Sequence, residues 1–247
     1  MNPWPYPRVA AHRGGGTLAP ENTLAAIDAG ARLGHGMVEF DAKLSADGVA
    51  FLLHDDTVNR TSNGRGHAAR LSYDALSALD AGAWCDARFA GERMPTLAQA
   101  AARCIALSVA ANVEIKPCPG REVDTGRQVA RETARLWSGA PTPPLLSSFS
   151  RAALAAAQDA APDVRRGILF DRIPADWHAQ AAALRCVSLH ANHRYLDAAT
   201  VARIKEAGFF VLAYTVNDAQ RARLLAEWGV DTICTDRIEL IGPHVLD

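Results

Sequence analysis

At 247 residues, with 49% hydrophobic and 21% charged residues, the chain has the composition of a folded globular protein, which excludes disordered and fibrous classes. A formal net charge of -1 supplies no global attraction to nucleic acid or to an anionic membrane, so any anion site has to be local. The five cysteines are odd in number, scattered and never two residues apart, which argues against a disulfide framework or a thiolate zinc site and fits reduced thiols in a cytoplasm.

Residues 1–7 carry no basic region followed by an apolar stretch, and no segment approaches the roughly 18 unbroken apolar residues of a membrane span. The expectation is a soluble, cytoplasmic protein without membrane insertion. Residues 9–12 read as a first strand, followed by a helix over 23–33 with Asn22 as N-cap and Gly34 just past its end. A second strand over 37–44 runs into Asp47-Gly48, a hairpin signal, and a further apolar run to His54. With Leu44 facing Val49, the register sets Phe51 opposite Ala42, Leu53 opposite Phe40 and His54 opposite Glu39. Residues 57–94 are polar and rich in glycine, too long for one crossover helix, and read as an insertion that forms a lid or substrate wall, or else a surface excursion.

Beyond it, strands are expected over 107–116, 145–149, 167–170, 186–190, 209–215 and 232–235. Helices are expected over 122–137, 151–159, 175–184, 198–207 and 219–228, with Ser150, Asp197 and either Asp218 or Asn217 as N-caps, and with Gly208 and Gly229 past two of the ends. Eight strands alternating with helices predict one domain over 1–247, a (β/α)8 TIM barrel with an insertion at about 57–94; an open sheet is the alternative.

Alternation along the second strand sends Glu39 and Asp41 to one face. Two inward carboxylates repel each other and lose hydration, so they call for a cation or a shared proton; for a cation, oxygen donors favour Mg2+ or Ca2+, with Mn2+ also suitable. Glu114 and Lys116 share a face at the end of the third strand, where Glu114 can complete the metal set and Lys116 can meet a phosphoryl oxygen; a self-neutralising pair is the bland alternative. His12-Arg13-Gly14-Gly15-Gly16 ends the first strand in a form suited to an anion, with a guanidinium for charge-assisted hydrogen bonds and glycines that admit backbone close to a ligand.

Together these residues resemble the glycerophosphodiester phosphodiesterase family along nearly the whole chain. The resemblance is carried by His12-Arg13-Gly14, Pro20-Glu21-Asn22-Thr23, Glu39-Phe40-Asp41, His54-Asp55 with Asn59-Arg60-Thr61, and Glu114-Ile115-Lys116. Pro95-Thr96-Leu97, Ser148-Phe149-Ser150, His190-Ala191-Asn192-His193 and Tyr214-Thr215-Val216-Asn217 support it, although Tyr214 and Ala191 stand where the family often has tryptophan and proline. It implies metal-dependent hydrolysis of glycerophosphodiesters, such as glycerophosphocholine and glycerophosphoethanolamine, to sn-glycerol 3-phosphate and an alcohol. Residue by residue it implies metal ligands at Glu39, Asp41 and Glu114, an acid and a base at His12 and His54, and phosphate contacts at Arg13 and Lys116; Phe149, His190 and Tyr214 are the remaining candidates for substrate contact. Two alternatives are a phosphodiesterase of the same fold acting on lysophospholipids, which calls for an apolar lid in 57–94, and a barrel that binds a phosphorylated metabolite without catalysis.

Overall fold

A computed structural model describes residues 3–246. In chain order the elements are β1 (Val9–Ala11), α1 (Leu24–Arg32), β2 (Met37–Leu44), β3 (Ala50–Leu52), α2 (Tyr73–Ser77), α3 (Leu97–Ala106), β4 (Ala110–Ile115), α4 (Glu122–Leu136), β5 (Leu145–Ser148), α5 (Arg151–Ala160), β6 (Arg165–Phe170), α6 (Trp177–Ala183), β7 (Ser188–Asn192), α7 (Ala198–Glu206), β8 (Phe210–Tyr214), α8 (Ala219–Glu227) and β9 (Thr232–Thr235). All strands except β3 run parallel, and the β1–β9 and β1–β2 pairings close them into an eight-stranded (β/α)8 barrel. β3 joins the edge of β2 in antiparallel fashion.

The alternation of each strand divides its side chains between two environments. Outward residues such as Val38, Phe40, Val113 and Leu146 meet the helices in one apolar layer, and Leu189, Val211 and Ile233 do so on the other side. Inside, at the strand N-termini, Trp4 and Tyr6 pack against Ala10, Met37, Ala110 and Leu145 as an apolar floor. The opposite end, where the strands finish, is polar.

Several local expectations differ from what is observed. The hairpin pairs Leu44 with Ala50 and Ala42 with Leu52, one residue off the expected register, because the loop is a three-residue turn in which Ser45 faces Val49 and Gly48 takes φ +82. Asn22 does not cap α1; Thr23 does, its hydroxyl accepting the Ala26 N–H. Asp218 rather than Asn217 caps α8. Helix α3 was not anticipated, although Thr96 and Gln99 form a reciprocal capping box at its start, a signal present in the sequence. Residues 57–94 contain α2 and wrap a small core of their own, in which Val58, Ala68, Leu76, Ala81 and Met94 pack against Phe51 and Leu53.

Candidate active site

Neighbouring parallel strands end side by side, which is why residues far apart in sequence meet at the polar rim. In the β2–β4 pairing Asp41 stands opposite Glu114 and Glu39 opposite Asn112, so three carboxylates converge on the inner wall. One oxygen from each of Glu39, Asp41 and Glu114 lies within 4.8 Å of the other two, and all three residues are buried. Pairing of Ala11 with Thr235 sends His12 and Asp236 out of the barrel together. His12 Nδ1 donates to Asp236 Oδ1 at 2.5 Å, which leaves Nε2 facing inward, 3.8 Å from Glu39 Oε2. Asn217 fixes Asp236 in turn, donating to its Oδ2 at 2.9 Å and accepting its backbone N–H at 2.8 Å.

The turn after β1 is held in an unusual backbone shape. Arg13 has φ 51, a conformation that costs a non-glycine residue about 1–3 kcal/mol, and its N–H donates to Glu39 Oε2 at 3.1 Å. Gly16 is required nearby, since a Cβ there would overlap the carbonyl oxygen of Asp236. Asn22, also left-handed at φ 60, braces Asp41 twice: its amide donates to Oδ2 at 2.9 Å and its carbonyl accepts the Asp41 N–H at 2.9 Å. Although the hairpin register differs from expectation, His54 lines the cavity, one residue beyond Leu53, whose N–H still donates to the Asp41 carbonyl at 3.1 Å. His54 Nδ1 donates to Asp55 Oδ1 at 2.8 Å. Arg60 clamps Asp55 from the insertion with bonds of 2.8 and 2.9 Å, and its guanidinium also grips Glu21, which holds Arg13 at 2.6 Å.

Lys116 Nζ donates to Glu114 Oε1 at 2.8 Å and lies 3.5 Å from Asp41 Oδ1. Phe149, just past β5, packs edge-on against Tyr214 with ring centroids 5.9 Å apart, and the Tyr214 hydroxyl donates to the Phe170 carbonyl at 2.9 Å. His190 is fully buried below them, 3.0 Å from the Ser188 hydroxyl and against Gly167, where no Cβ would fit.

Electrostatics follow from this crowding. Burial raises Glu39 and Glu114 above the usual carboxylate range, and repulsion from Asp41 adds to it. Burial pushes Asp41 the same way, but Lys116, His54, Arg13 and the Asn22 hydrogen bond outweigh it and hold Asp41 low. For His12 burial acts downward, while the Asp236 hydrogen bond and the charges of Glu39 and Asp236 prevail and raise it. His54 goes the other way, lowered by burial and by Lys116 and Arg13. Burial alone drops His190 to about 3, so it is neutral. Glu39 Oε1 is buried without a hydrogen-bond partner among the described residues. Three clustered carboxylates with an unsatisfied oxygen have the donor chemistry of a hard divalent cation site.

All ten residues singled out in the sequence, His12, Arg13, Glu39, Asp41, His54, Glu114, Lys116, Phe149, His190 and Tyr214, line one cavity of about 220 Å3. The sequence pointed to no role for Asp236; Glu21 and Arg60 stand in it only as parts of motifs, and Asn22 and Asn217 as parts of motifs and as N-cap candidates, none with a part in the site. Asp236 follows the last strand, so its place at a strand C-terminus was an available signal.

Comparison with known proteins gives a consistent result. The model of the glycerophosphoryl diester phosphodiesterase family matches residues 12–240. A glycerophosphodiester phosphodiesterase of Caldanaerobacter subterraneus subsp. tengcongensis is 30% identical over 238 residues, which cover 94% of this chain and 95% of the relative. A phosphodiesterase of Oleispira antarctica, solved in complex with the product sn-glycerol-3-phosphate, is 35% identical with a TM-score of 0.90 over 96% of this chain and 95% of that one. A glycerophosphodiester phosphodiesterase structure from Agrobacterium tumefaciens has a TM-score of 0.76 at 27% identity, covering 97% and 98% of the two chains.

Proposed function

The chain belongs to the glycerophosphoryl diester phosphodiesterase family, and on that footing we propose that it hydrolyses glycerophosphodiesters, such as glycerophosphocholine and glycerophosphoethanolamine, to sn-glycerol 3-phosphate and an alcohol. The observation that carries this reading is the meeting of three buried carboxylates and two histidines in one cavity at the barrel rim. Glu39, Asp41 and Glu114 would hold one divalent cation, Mg2+ or Ca2+ with Mn2+ also compatible, which when bound neutralises charge on the phosphoryl oxygens.

A phosphodiester is anionic and its alkoxide is a poor leaving group, so the protein has to stabilise negative charge and move two protons. Lys116 and Arg13, whose buried Nε stands 3.8 Å from Asp41 Oδ2 and makes no hydrogen bond among the described residues, bind the phosphoryl oxygens. With Nδ1 tied to Asp236, His12 presents Nε2 to the cavity, and His54 lines both this cavity and a wider groove outside it; one takes the proton of the attacking hydroxyl and the other gives one to the departing oxygen. The attacking hydroxyl is the substrate's own neighbour to the phosphate, giving a cyclic phosphate that water then opens, or it is water directly. Substrates without the neighbouring hydroxyl separate these routes, since they fail in the first and react in the second.

A lysophospholipid substrate is less well supported, because Val58, Ala68, Leu76, Ala81 and Met94 turn inward onto Phe51 and Leu53, and a single exposed side chain such as Trp84 is not a broad apolar lid. Among the described residues no helix is long and apolar enough to cross a membrane. We place the enzyme in the cytoplasm on account of its five free, scattered cysteines. The test is glycerol 3-phosphate release with His12→Ala and His54→Ala. Each should lower the rate by about 100- to 10,000-fold in folded protein, and wild-type rates in both would refute the acid and base roles.

A further inference from the structure

Outside the catalytic cavity lies a groove of about 590 Å3 that shares His54, Glu114, Lys116 and Phe149 with it. Among the shared residues, Lys116 and His54 are the ones the reading above sets at the phosphoryl group, so the two spaces flank the scissile bond. If the inner one takes the glycerol phosphate, the outer one meets the leaving alcohol.

Its wall carries Asp55, Asp56 and Glu122 with Pro117, Pro119 and the Phe149 ring. The positive charges nearby are largely committed elsewhere. Lys116 is held by Glu114 and Asp41, Arg60 neutralises Asp55, and Arg121 is spent on the carbonyls of Leu44 and Ser45. Buried Lys43 gives its shorter bond, 2.6 Å, to the Asp55 carbonyl and stands 3.5 Å from Asp56, which offsets that carboxylate only in part. Glu122, at the start of α4, accepts the Gly120 N–H at 3.2 Å and forms no ion pair with a described residue. Phe149 is 40% exposed, and its ring centroid lies 5.6 Å from Lys116 Nζ, so the ring already faces a cation. Two incompletely neutralised carboxylates beside an open aromatic ring have the chemistry that favours an organic ammonium.

We propose that this groove receives the departing alcohol and, through Asp56, Glu122 and the Phe149 ring, selects alcohols that carry a primary or quaternary ammonium over neutral ones. The proposal rests on the hydrolase reading above and adds to it which glycerophosphodiesters are preferred.

The experiment measures kcat/KM for glycerol 3-phosphate release by the cation-loaded enzyme from glycerophosphocholine, glycerophosphoethanolamine and glycerophosphoglycerol. The two ammonium substrates should be preferred by about fivefold to tenfold at low salt, and the preference should shrink at about 0.5 M salt, as expected for exposed charges. In the Asp56→Asn, Glu122→Gln double variant the ratio should fall to within about twofold of one. Glu122→Gln alone, on a half-buried helix start, should remove part of it if the double variant does not fold. Equal kcat/KM on all three substrates, or a preference that both variants retain, would overturn the selectivity and leave the hydrolase reading standing. No release from any substrate would overturn the hydrolase reading and the selectivity with it.

Discussion

At the scale of single residues, the cavity's side chains are held by others that do not line it. Asp236 holds His12 Nδ1, so that Nε2, the nitrogen able to accept a proton, is the one that faces Glu39 and the cavity. Asp236→Asn should therefore lower kcat by at least about tenfold with little change in KM, since the ring loses its orientation while the binding groups stay in place. Steady-state kinetics with an unchanged kcat would contradict that role. His190 supports a prediction about stability. Held neutral in the folded protein at a pKa of about 3, it binds a proton in the unfolded chain below about 6.5, so the unfolded state takes up more protons as pH falls between these values and stability declines. Denaturation of His190→Leu should show a pH dependence shallower by about 1–2 kcal/mol between pH 6.5 and 5, and an unaltered slope would mean that His190 is not kept neutral. The ten cavity residues were legible because each sits at a strand end or in a compact motif. The place of Asp236 after the last strand was legible too, but its pairing with His12 was not, because the two lie 224 positions apart and meet only where the barrel closes.

At the scale of elements, the 57–94 segment joins the site through Arg60, which binds Asp55 and Glu21 at once and so connects His54 with the Arg13 turn. Exposed ion pairs add little to stability, whereas a guanidinium fork fixes direction well. Arg60→Ala should leave the folding free energy within about 1 kcal/mol of wild type yet lower kcat, and Arg60→Lys should recover only part of the loss. Thermal melts and kinetics read together check this, and a variant that melts early with normal activity would show that the contact is merely structural. The hairpin illustrates where reading from sequence stops. Asp47-Gly48 marks the turn, but whether the loop holds two, three or four residues decides every pairing after it, and one residue of slip separates the expected from the observed register. His54 reaches the cavity all the same, standing one residue beyond Leu53, whose N–H bonds the Asp41 carbonyl next to the carboxylates. Helix α3 was hidden by its alanine-rich, short sequence beside a long polar stretch, although its capping box was in plain view.

At the scale of the molecule, the barrel separates stability from chemistry. One end is filled by Trp4, Tyr6 and Met37, and the other gathers carboxylates that repel one another. Strand count and alternation were legible because they are local patterns; the β1–β2 and β1–β9 pairings that close the ring join distant segments and came only from the structure. The cost of burying Glu39, Asp41 and Glu114 together is what a bound cation should relieve, so saturating Mg2+ or Ca2+ should raise the melting temperature of the wild type more than that of Glu39→Gln. The most direct measurement is glycerol 3-phosphate release from glycerophosphodiesters by wild type and Glu39→Ala, each with Mg2+, with Ca2+ and with a chelator. Release by the wild type that needs the cation, together with its loss in a folded Glu39→Ala protein, is the expected result. Full activity in chelator, or a Glu39→Ala variant as active as wild type, would contradict a cation held by these carboxylates.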